Sequence, residues 1–154
     1  MKWAAKDIEI YIKEKAFIDT VVIPLLPVSF GEEIKESASQ SEFITLLSTL
    51  LEKQFAGRVL LAPPFTYLQV DGIKTAALSL EKWAMNIKEN AIPHIYYLTS
   101  DSGWKMIEQH LKGTLLWVPA LPIDQFNHSQ KWTIVENQAN QLVNFFIKKW
   151  HEKE

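Results

Sequence analysis

The chain of 154 residues has the length of one ordinary domain, and its hydrophobic fraction of 47% excludes a disordered protein. Its net charge is −2 and its single arginine is Arg58, so it lacks the clustered arginines and lysines of a nucleic-acid surface. The chain has no cysteine, which excludes disulfides, thiolate metal sites and cysteine nucleophiles.

The amino-terminal residues include Asp7 before any apolar stretch, which is not the pattern of a secretory signal. No apolar run approaches the roughly 20 residues that a membrane span requires. We therefore expect a cytoplasmic protein without membrane contact.

The first segment carries two conflicting signals. Ile8, Ile10 and Ile12 alternate with other residues as in a strand, whereas the alanines, lysines and glutamates around them are good helix formers. The composition favours a helix, and a strand is the alternative.

Four short apolar stretches further along the chain are predicted to be strands, and three of them show the little polar alternation that is typical of buried parallel strands. They cover residues 20–26, 58–62, 94–99 and 114–118. Pro24 and Pro27 conflict with a long first strand, since proline cannot donate to a strand ladder. They predict a first strand that is very short or interrupted by a bulge.

Segments of helical periodicity separate the predicted strands. After the first strand, apolar residues at offsets of three and four form one stripe: Phe43, Leu46, Leu47, Leu50, Leu51 and Phe55. Gly57 follows this stripe and is expected to adopt the left-handed conformation that ends many helices. A similar stripe lies between the second and third strands, at Leu80, Trp83, Ala84 and Ile87.

Two more helices are predicted in the second half of the chain. A short one can be capped by Asp101 or Ser102 and ends at Gly113. The last runs from about residue 132 to residue 150, where Thr133 and Glu136 match a capping box. Its predicted buried stripe comprises Trp132, Val135, Ala139, Leu142, Val143, Phe146 and Trp150.

Strands and helices that alternate in this way are typical of a parallel sheet, and right-handed crossovers place helices on both of its faces. We therefore predict one domain over residues 1–154. Its expected fold is a three-layer α/β/α sandwich with a mainly parallel four-stranded sheet, wrapped as in Rossmann-like or flavodoxin-like folds. The predicted strand order is 2-1-3-4, because the first crossover commonly reverses direction in such folds.

Three segments at or beside predicted strand ends together resemble a known family. They are Asp19-Thr20 leading into Ile23-Pro24-Leu25-Leu26-Pro27, then Pro63-Pro64-Phe65-Thr66-Tyr67, and Tyr97-Leu98-Thr99-Ser100-Asp101. With these segments, the chain resembles the YpiF-like family of uncharacterised proteins from spore-forming Gram-positive bacteria. The resemblance covers most of the chain. The resemblance implies a bacterial cytoplasmic protein of unknown function and assigns no activity, ligand or catalytic residue.

In open α/β sheets a ligand binds beyond the carboxyl ends of the strands, where the connections diverge to opposite faces. The loops at these ends carry hydroxyls, one carboxylate and aromatic rings, so they form the predicted site for an anionic small molecule. Its residues are Ser29, Thr66, Tyr67, Ser100, Asp101, Ser102 and Trp104. Free N–H groups at the start of the helix after residue 100 would hold the anion.

The same residues also have an explanation without a ligand. Serine and aspartate before a helix are ordinary caps, and Asp101 places a negative charge where an anion would lie. No glycine-rich phosphate loop or dinucleotide motif follows a predicted strand. The structural interpretation is the stronger of the two.

The sequence predicts no catalytic residue, no metal site and no cofactor. The histidines lack the spacing typical of metal ligands, and no serine lies in a nucleophile-elbow motif. These histidines are His94, His110, His128 and His151. A non-catalytic role is therefore more expected than an enzyme, although carboxylates distant in sequence can still meet as an acid–base pair.

The last helix carries the feature that favours a protein partner. At 100° per residue, Ile134, Gln138, Gln141 and Phe145 form a second line, expected roughly opposite to the buried stripe. An apolar line with amide groups and no charge fits a surface that binds another protein or a second copy of the chain. Scattered exposed apolar residues explain the line without a partner.

Two functional hypotheses follow. The first is a non-catalytic cytoplasmic interaction or regulatory module that uses the outer face of the last helix. The alternative is a binder of an anionic small molecule, or an enzyme, with its site at the carboxyl ends of the strands. Neither nucleic acid nor a membrane is expected as a partner.

Overall fold

The computed structural model describes residues 1–152 and contains alternating strands and helices. Their order is α1 (Ala5–Lys13), β1 (Thr20–Val28), α2 (Ile34–Gln54), β2 (Val59–Leu61), β3 (Phe65–Leu68), α3 (Ile73–Glu89), β4 (His94–Thr99), β5 (Thr114–Trp117) and α4 (His128–Glu152). Two 3-10 segments lie between them, at Gln69–Asp71 and Ser102–His110. The first segment is therefore a helix, as its composition favours.

The strands pair in parallel, in the order β2-β1-β4-β5. β4 and β5 are the third and fourth of the four predicted strands. The observed order therefore corresponds to the predicted order 2-1-3-4, and that prediction is confirmed. β3 is an additional strand that the apolar pattern does not predict. It pairs with the same edge of β1 as β2 does, from Leu25↔Phe65 to Val28↔Leu68, beyond the point where β2 ends.

Helices cover both faces of the sheet, which confirms the three-layer α/β/α arrangement. One face holds α2 and α4, with Phe43, Leu47 and Phe146 in a core against β1, β4 and β5. The other face holds α3, part of α1 and the Ser102–His110 segment, with Trp104 fully buried. Full burial of a large apolar side chain contributes about 1.5–3 kcal/mol, so these two cores are the main source of stability.

Both prolines of the first strand lie within β1, which is nine residues long, so the prediction of a very short or interrupted strand is wrong. The N–H of Thr20 and the carbonyl of Val22 form hydrogen bonds on the β2 side of β1. Alternate residues of a strand direct their backbone groups to the same side, so Pro24 is the next residue that faces β2. It lies between the last pair with β2 and the first pair with β3. Pro27 faces the other side, beyond the last pair with β4. Neither missing N–H therefore interrupts a ladder.

The end of α2 differs from the prediction. The helix ends at Gln54, and the N–H of Phe55 bonds to the carbonyl of Leu51. Gly57 lies beyond this turn and does not have a positive φ, so the predicted left-handed cap is wrong. The backbone at this position is therefore open to residues other than glycine.

The predicted helix after β4 is a 3-10 segment that ends at His110, before the glycine expected to cap it. Gly113 is required for a different reason, the close approach of β5 to β4. A Cβ added there would lie 2.6 Å from the carbonyl oxygen of Ile95 and 2.9 Å from its Cβ. The expected helix end at Gly113 is therefore wrong.

The last helix begins earlier than predicted, at His128. Its capping box is formed by Asn127 and Gln130: the Gln130 N–H donates to Asn127 Oδ1 at 2.9 Å, and the Asn127 N–H donates to Gln130 Oε1 at 3.1 Å. Thr133 lies inside the helix, where its hydroxyl donates to a carbonyl of the preceding turn. The predicted box of Thr133 and Glu136 is therefore wrong.

The predicted buried stripe of α4 is confirmed at four of its seven positions. Val135, Ala139, Phe146 and Trp150 are buried, whereas the remaining members are half-buried: Trp132, Leu142 and Val143. Neither α4 nor any other helix within residues 1–152 is long and apolar enough to cross a membrane.

Candidate functional site

The carboxyl ends of β1 and β4 lie side by side at a point where the chain diverges. β1 leads into α2 on one face of the sheet, and β4 leads into the Ser102–His110 segment on the other face. Such a divergence is the usual position of a ligand in an open α/β sheet. It is the edge at which the sequence predicts a site.

Three of the predicted ligand residues form one hydrogen-bonded chain at this edge. Trp104 Nε1 donates to the Tyr67 hydroxyl at 2.8 Å, and that hydroxyl donates to Asp101 Oδ2 at 2.6 Å. Asp101 Oδ1 accepts from the backbone N–H of Gly103 at 2.9 Å, so the carboxylate caps the 3-10 segment. The polar atoms of the three side chains are thus partnered within the protein.

The electrostatics of the hydrogen-bonded side chains Tyr67, Asp101 and Trp104 favour a structural role. Burial, together with the hydrogen bond to Asp101, raises the pKa of Tyr67, so its hydroxyl stays a protonated donor. The Asp101 carboxylate occupies the position at the start of the segment that an anion would take. Ligand binding by Tyr67, Asp101 and Trp104 stays a prediction.

The other four predicted ligand residues are spread along the edge. Thr66 and Ser102 are exposed, and Thr66 contributes to a cavity of about 270 Å³ beside α3. Ser29 is half-buried, and its hydroxyl accepts from the backbone N–H of Gly31 at 3.2 Å. Ser100 is buried, and its hydroxyl has no hydrogen-bond partner within residues 1–152. The hydrogen-bonded chain of Tyr67 does not include these four side chains.

On α4, the predicted partner line consists of Ile134, Gln138, Gln141 and Phe145. This line borders the buried stripe, so its expected position opposite that stripe is wrong. The two lines are offset by one residue, which is about 100° around a helix. Ile134 and Phe145 are half-buried and pack against the core beneath α2 and α4. Gln138 is half-buried and Gln141 is exposed. The partner role of these four residues stays a prediction.

A cavity of about 590 Å³ lies between α1, α3 and the β2 side of the sheet. Its floor consists of buried residues in or beside the strands: Val21, Leu60, Ala62 and Ile92. Its walls include half-buried side chains of the two helices: Ile8, Tyr11, Trp83 and Ile87. Exposed residues form the rim, among them Trp3, Lys15, Lys82, Asn86 and Asn90.

This space exists because α1 is weakly anchored to the sheet. None of its residues is buried, and Ile12 is 63% exposed. Tyr11 packs in part against the core of that face. The spacing of Ile8, Tyr11 and Ile12 is the sequence signal for a helix face turned toward the sheet, but spacing does not specify how closely the helix approaches.

The polar groups of the cavity are few and carry no negative charge. Within the described residues that line it, there is no aspartate or glutamate, whereas Lys15 and Lys82 contribute two ammonium groups. The Tyr11 phenol is protonated at neutral pH, and burial raises its pKa further. An apolar space with a few convergent polar groups is the usual composition of a small-molecule site.

A second polar cluster lies at the opposite, amino end of the strands. Arg58 Nε and Nη2 donate to the two carboxylate oxygens of Asp19 at 3.0 and 3.2 Å. The Arg58 guanidinium also lies 3.9 Å from the ring centroid of Trp150, whose Nε1 donates to Thr20 Oγ1 at 2.9 Å. His94 Nε2 is 3.9 Å from Asp19 Oδ2. The cluster holds the end of α4 on the sheet, and nothing in the sequence spacing marks it.

The histidines are placed separately in the structure. His94 belongs to the cluster at the amino end, whereas His128 on α4 accepts a hydrogen bond of 2.7 Å from Trp132 Nε1. Across residues 1–152, no group of three or more His, Asp or Glu side chains is arranged to hold a metal ion.

Comparison with known proteins confirms the family resemblance that the strand-end segments indicate. The model of the family described as "Protein of unknown function (DUF2487)" matches residues 9–150. The "Uncharacterized protein YpiF" of Bacillus subtilis (strain 168) is 32% identical over 153 residues, which cover 97% of this chain and 98% of that protein. No solved structure matches the chain. The chain belongs to the DUF2487 family, whose description is a protein of unknown function.

Proposed function

We propose that the protein binds a small, mostly apolar molecule in the cavity between α1 and α3. The observation that carries this proposal is the cavity itself, about 590 Å³ of space with a buried apolar floor and aromatic walls. Small-molecule sites typically enclose about 300–1,000 Å³, are lined mainly by apolar and aromatic side chains, and contain few polar groups. The cavity has all three properties.

The energetics of the site support the same proposal. Each Å² of apolar surface that a ligand removes from water contributes about 25 cal/mol. The floor residues Val21 and Leu60 belong to paired strands, so they need little further ordering when a ligand binds. α1 is the element that can adjust to the ligand, because none of its residues is buried.

Thermal unfolding in the presence of small probes tests the proposal. The probes are decanol and naphthol with their anionic counterparts decanoate and naphthoate, since any ligand of the native state raises the Tm. Asn86→Trp places a large ring at the exposed rim and is expected to abolish the shift. Lys74→Trp places the same ring on an exposed part of α3 outside the cavity and is expected to keep it.

The proposal is wrong if no probe raises the Tm of the wild-type protein. It is also wrong if the Asn86→Trp protein shows the same shift as the Lys74→Trp protein, because the probe would then bind elsewhere.

A second proposal is a contact surface on α4 for a protein partner or a second copy of the chain. It is supported by an open depression of about 260 Å³ at the start of the helix. The residues that line it are Phe126, Ser129, Gln130, Thr133 and Ile134. Ile134 therefore has one side against the core and another toward this depression.

Exposed neighbours of the partner line are the appropriate residues to change, because Ile134 and Phe145 also contribute to folding. Thr133→Arg combined with Gln141→Arg introduces charge on the exposed surface. Light scattering is expected to show a smaller molar mass for this variant if the wild type self-associates, and pull-downs are expected to lose a partner protein. A monomeric wild type, with the same recovered proteins for both forms, contradicts the proposal.

The cytoplasmic location predicted from the sequence is part of what we propose. Fractionation of bacterial cells that express the protein is expected to recover it in the cytoplasmic fraction. Recovery with the membranes or in the medium contradicts this location.

A further inference from the structure

We infer that the ligand of the cavity between α1 and α3 is an apolar carboxylate whose charged group lies at the rim beside Lys15 and Lys82. The inference rests on the proposed function and adds the chemical class of the ligand. Its basis is the distribution of charge around the cavity, together with the interactions of the two lysines.

The residues that line the cavity carry a net charge opposite in sign to that of the whole protein. The chain has 18 acidic and 16 basic residues, excluding histidine, and a net charge of −2. Among the residues that line the cavity, however, two lysines carry a positive charge at neutral pH, and none carries a carboxylate. A ligand with a negative group is therefore attracted to this rim, and a cationic ligand is repelled.

The two lysines have no carboxylate partner within residues 1–152. Lys15 Nζ lies 5.8 Å from the ring centroid of Tyr11, which is a wall residue of the cavity. Lys82 is exposed at the rim, and its acidic neighbour Glu81 interacts instead with Lys112 at 3.5 Å. Both ammonium groups are thus available to a carboxylate from the ligand.

Neutral hydrogen-bond groups beside the lysines suit the same ligand. The Tyr11 phenol is protonated at neutral pH and burial raises its pKa further, so its hydroxyl can donate to an anionic oxygen. Asn86 contributes an amide at the rim. The apolar floor then accommodates the remainder of the molecule, which an inorganic anion would leave empty.

A set of probes that share one alkyl chain tests the charge directly. Decanoate, decanol and decyltrimethylammonium differ in the head group alone, and isothermal titration calorimetry gives the Kd of each. We expect decanoate to bind roughly five- to tenfold more tightly than decanol, because two partly exposed ion pairs contribute on that scale, and the ammonium compound to bind most weakly.

Changes at the rim then assign the preference to the two lysines. Lys15→Gln with Lys82→Gln is expected to reduce the preference for decanoate to about twofold or less, because the ion pairs are lost, and to change the Kd of decanol less than that of decanoate. Lys74→Gln removes an exposed lysine of α3 outside the cavity and is expected to keep the preference. Higher ionic strength is expected to weaken decanoate binding and not decanol binding.

The outcomes separate the inference from the function on which it rests. If decanol binds as tightly as decanoate, or if the lysine variant keeps the preference, the inference is wrong and the binding function stands. If none of the three probes binds, the proposed function itself is wrong. If decanoate binds the Asn86→Trp protein as tightly as the wild type, its site is not this cavity, and the inference and the proposed function are both wrong.

Discussion

The Tyr67 hydroxyl on β3 and the Asp101 carboxylate after β4 are joined by a hydrogen bond of 2.6 Å. β1 lies between β3 and β4 in the sheet, so this bond passes across the carboxyl end of the central strand. Thr99 adds a second link, since its hydroxyl donates to the carbonyl of Leu25 on β1 at 3.0 Å. The three strands are therefore connected by side chains at the edge where a ligand was predicted.

Removal of the Tyr67 hydroxyl is expected to destabilise the protein. Tyr67→Phe deletes the acceptor of the buried Trp104 N–H and the donor to Asp101, and an unsatisfied buried polar group costs about 1–3 kcal/mol. Urea denaturation is the measurement, with an expected loss of about 2 kcal/mol. An unchanged free energy of unfolding contradicts the structural role of this network.

Removal of the Tyr96 hydroxyl is expected to have the opposite effect. Tyr96 is fully buried, and its hydroxyl has no hydrogen-bond partner within residues 1–152. Tyr96→Phe keeps the ring in the core and is expected to leave stability unchanged or raise it by up to about 1 kcal/mol. The same urea titration checks it, and a loss similar to that of Tyr67→Phe shows that the hydroxyl has a partner.

Stability is expected to fall in alkaline solution. Burial raises the pKa of Tyr96 and of Tyr97 to about 12, whereas an unfolded tyrosine has a pKa of about 10. The unfolded state therefore loses these protons first, and the contribution to stability present below pH ~10 is lost as the pH rises toward ~12. Denaturation at several alkaline pH values measures the slope, which Tyr96→Phe is expected to reduce.

Two glycines are expected to respond differently to the same substitution. Gly113→Ala places a Cβ 2.6 Å from the Ile95 carbonyl oxygen, and a clash with backbone is expected to cost more than about 2 kcal/mol. Gly57→Ala meets no atom within 4 Å and is expected to be neutral or stabilising by up to about 1 kcal/mol. Comparison of their Tm values tests both, and equal effects contradict the close approach of β5 to β4.

A conservative change of the single arginine is expected to destabilise the attachment of α4. Arg58→Lys keeps the charge but loses the two-point contact with Asp19 and the planar group above Trp150. A loss of about 1 kcal/mol is expected for this partly exposed pair. Hydrogen exchange is expected to show faster exchange at the end of α4, and unchanged exchange there contradicts the role of the cluster.

Most of the sheet could be predicted from the sequence because strands that are buried on both faces need continuous apolar runs. β3 could not, since Phe65 and Tyr67 are buried while Thr66 and Leu68 are exposed, and the strand has four residues. Such a short alternating stretch directly after two prolines does not differ from a loop in composition.

The candidate sites were less accessible to prediction because they depend on distances between elements. Tyr67 and Asp101 meet because β3 and β4 have particular registers on β1, and no spacing in the sequence encodes a register. Lys15 and Lys82 share a cavity because α1 packs loosely on the sheet. The size of that gap depends on how the side chains fit together, which a periodic pattern does not describe.

The interrupted outer edge of the sheet has a consequence for how molecules of this protein behave together. Between β2 and β3 the chain presents Pro63 and Pro64, which have no N–H, and the N–H of Leu61 already donates to the carbonyl of Met1 at 2.8 Å. A strand from a neighbouring molecule therefore finds no continuous row of donors to extend along this side. We therefore expect this edge to resist strand-to-strand aggregation in concentrated protein.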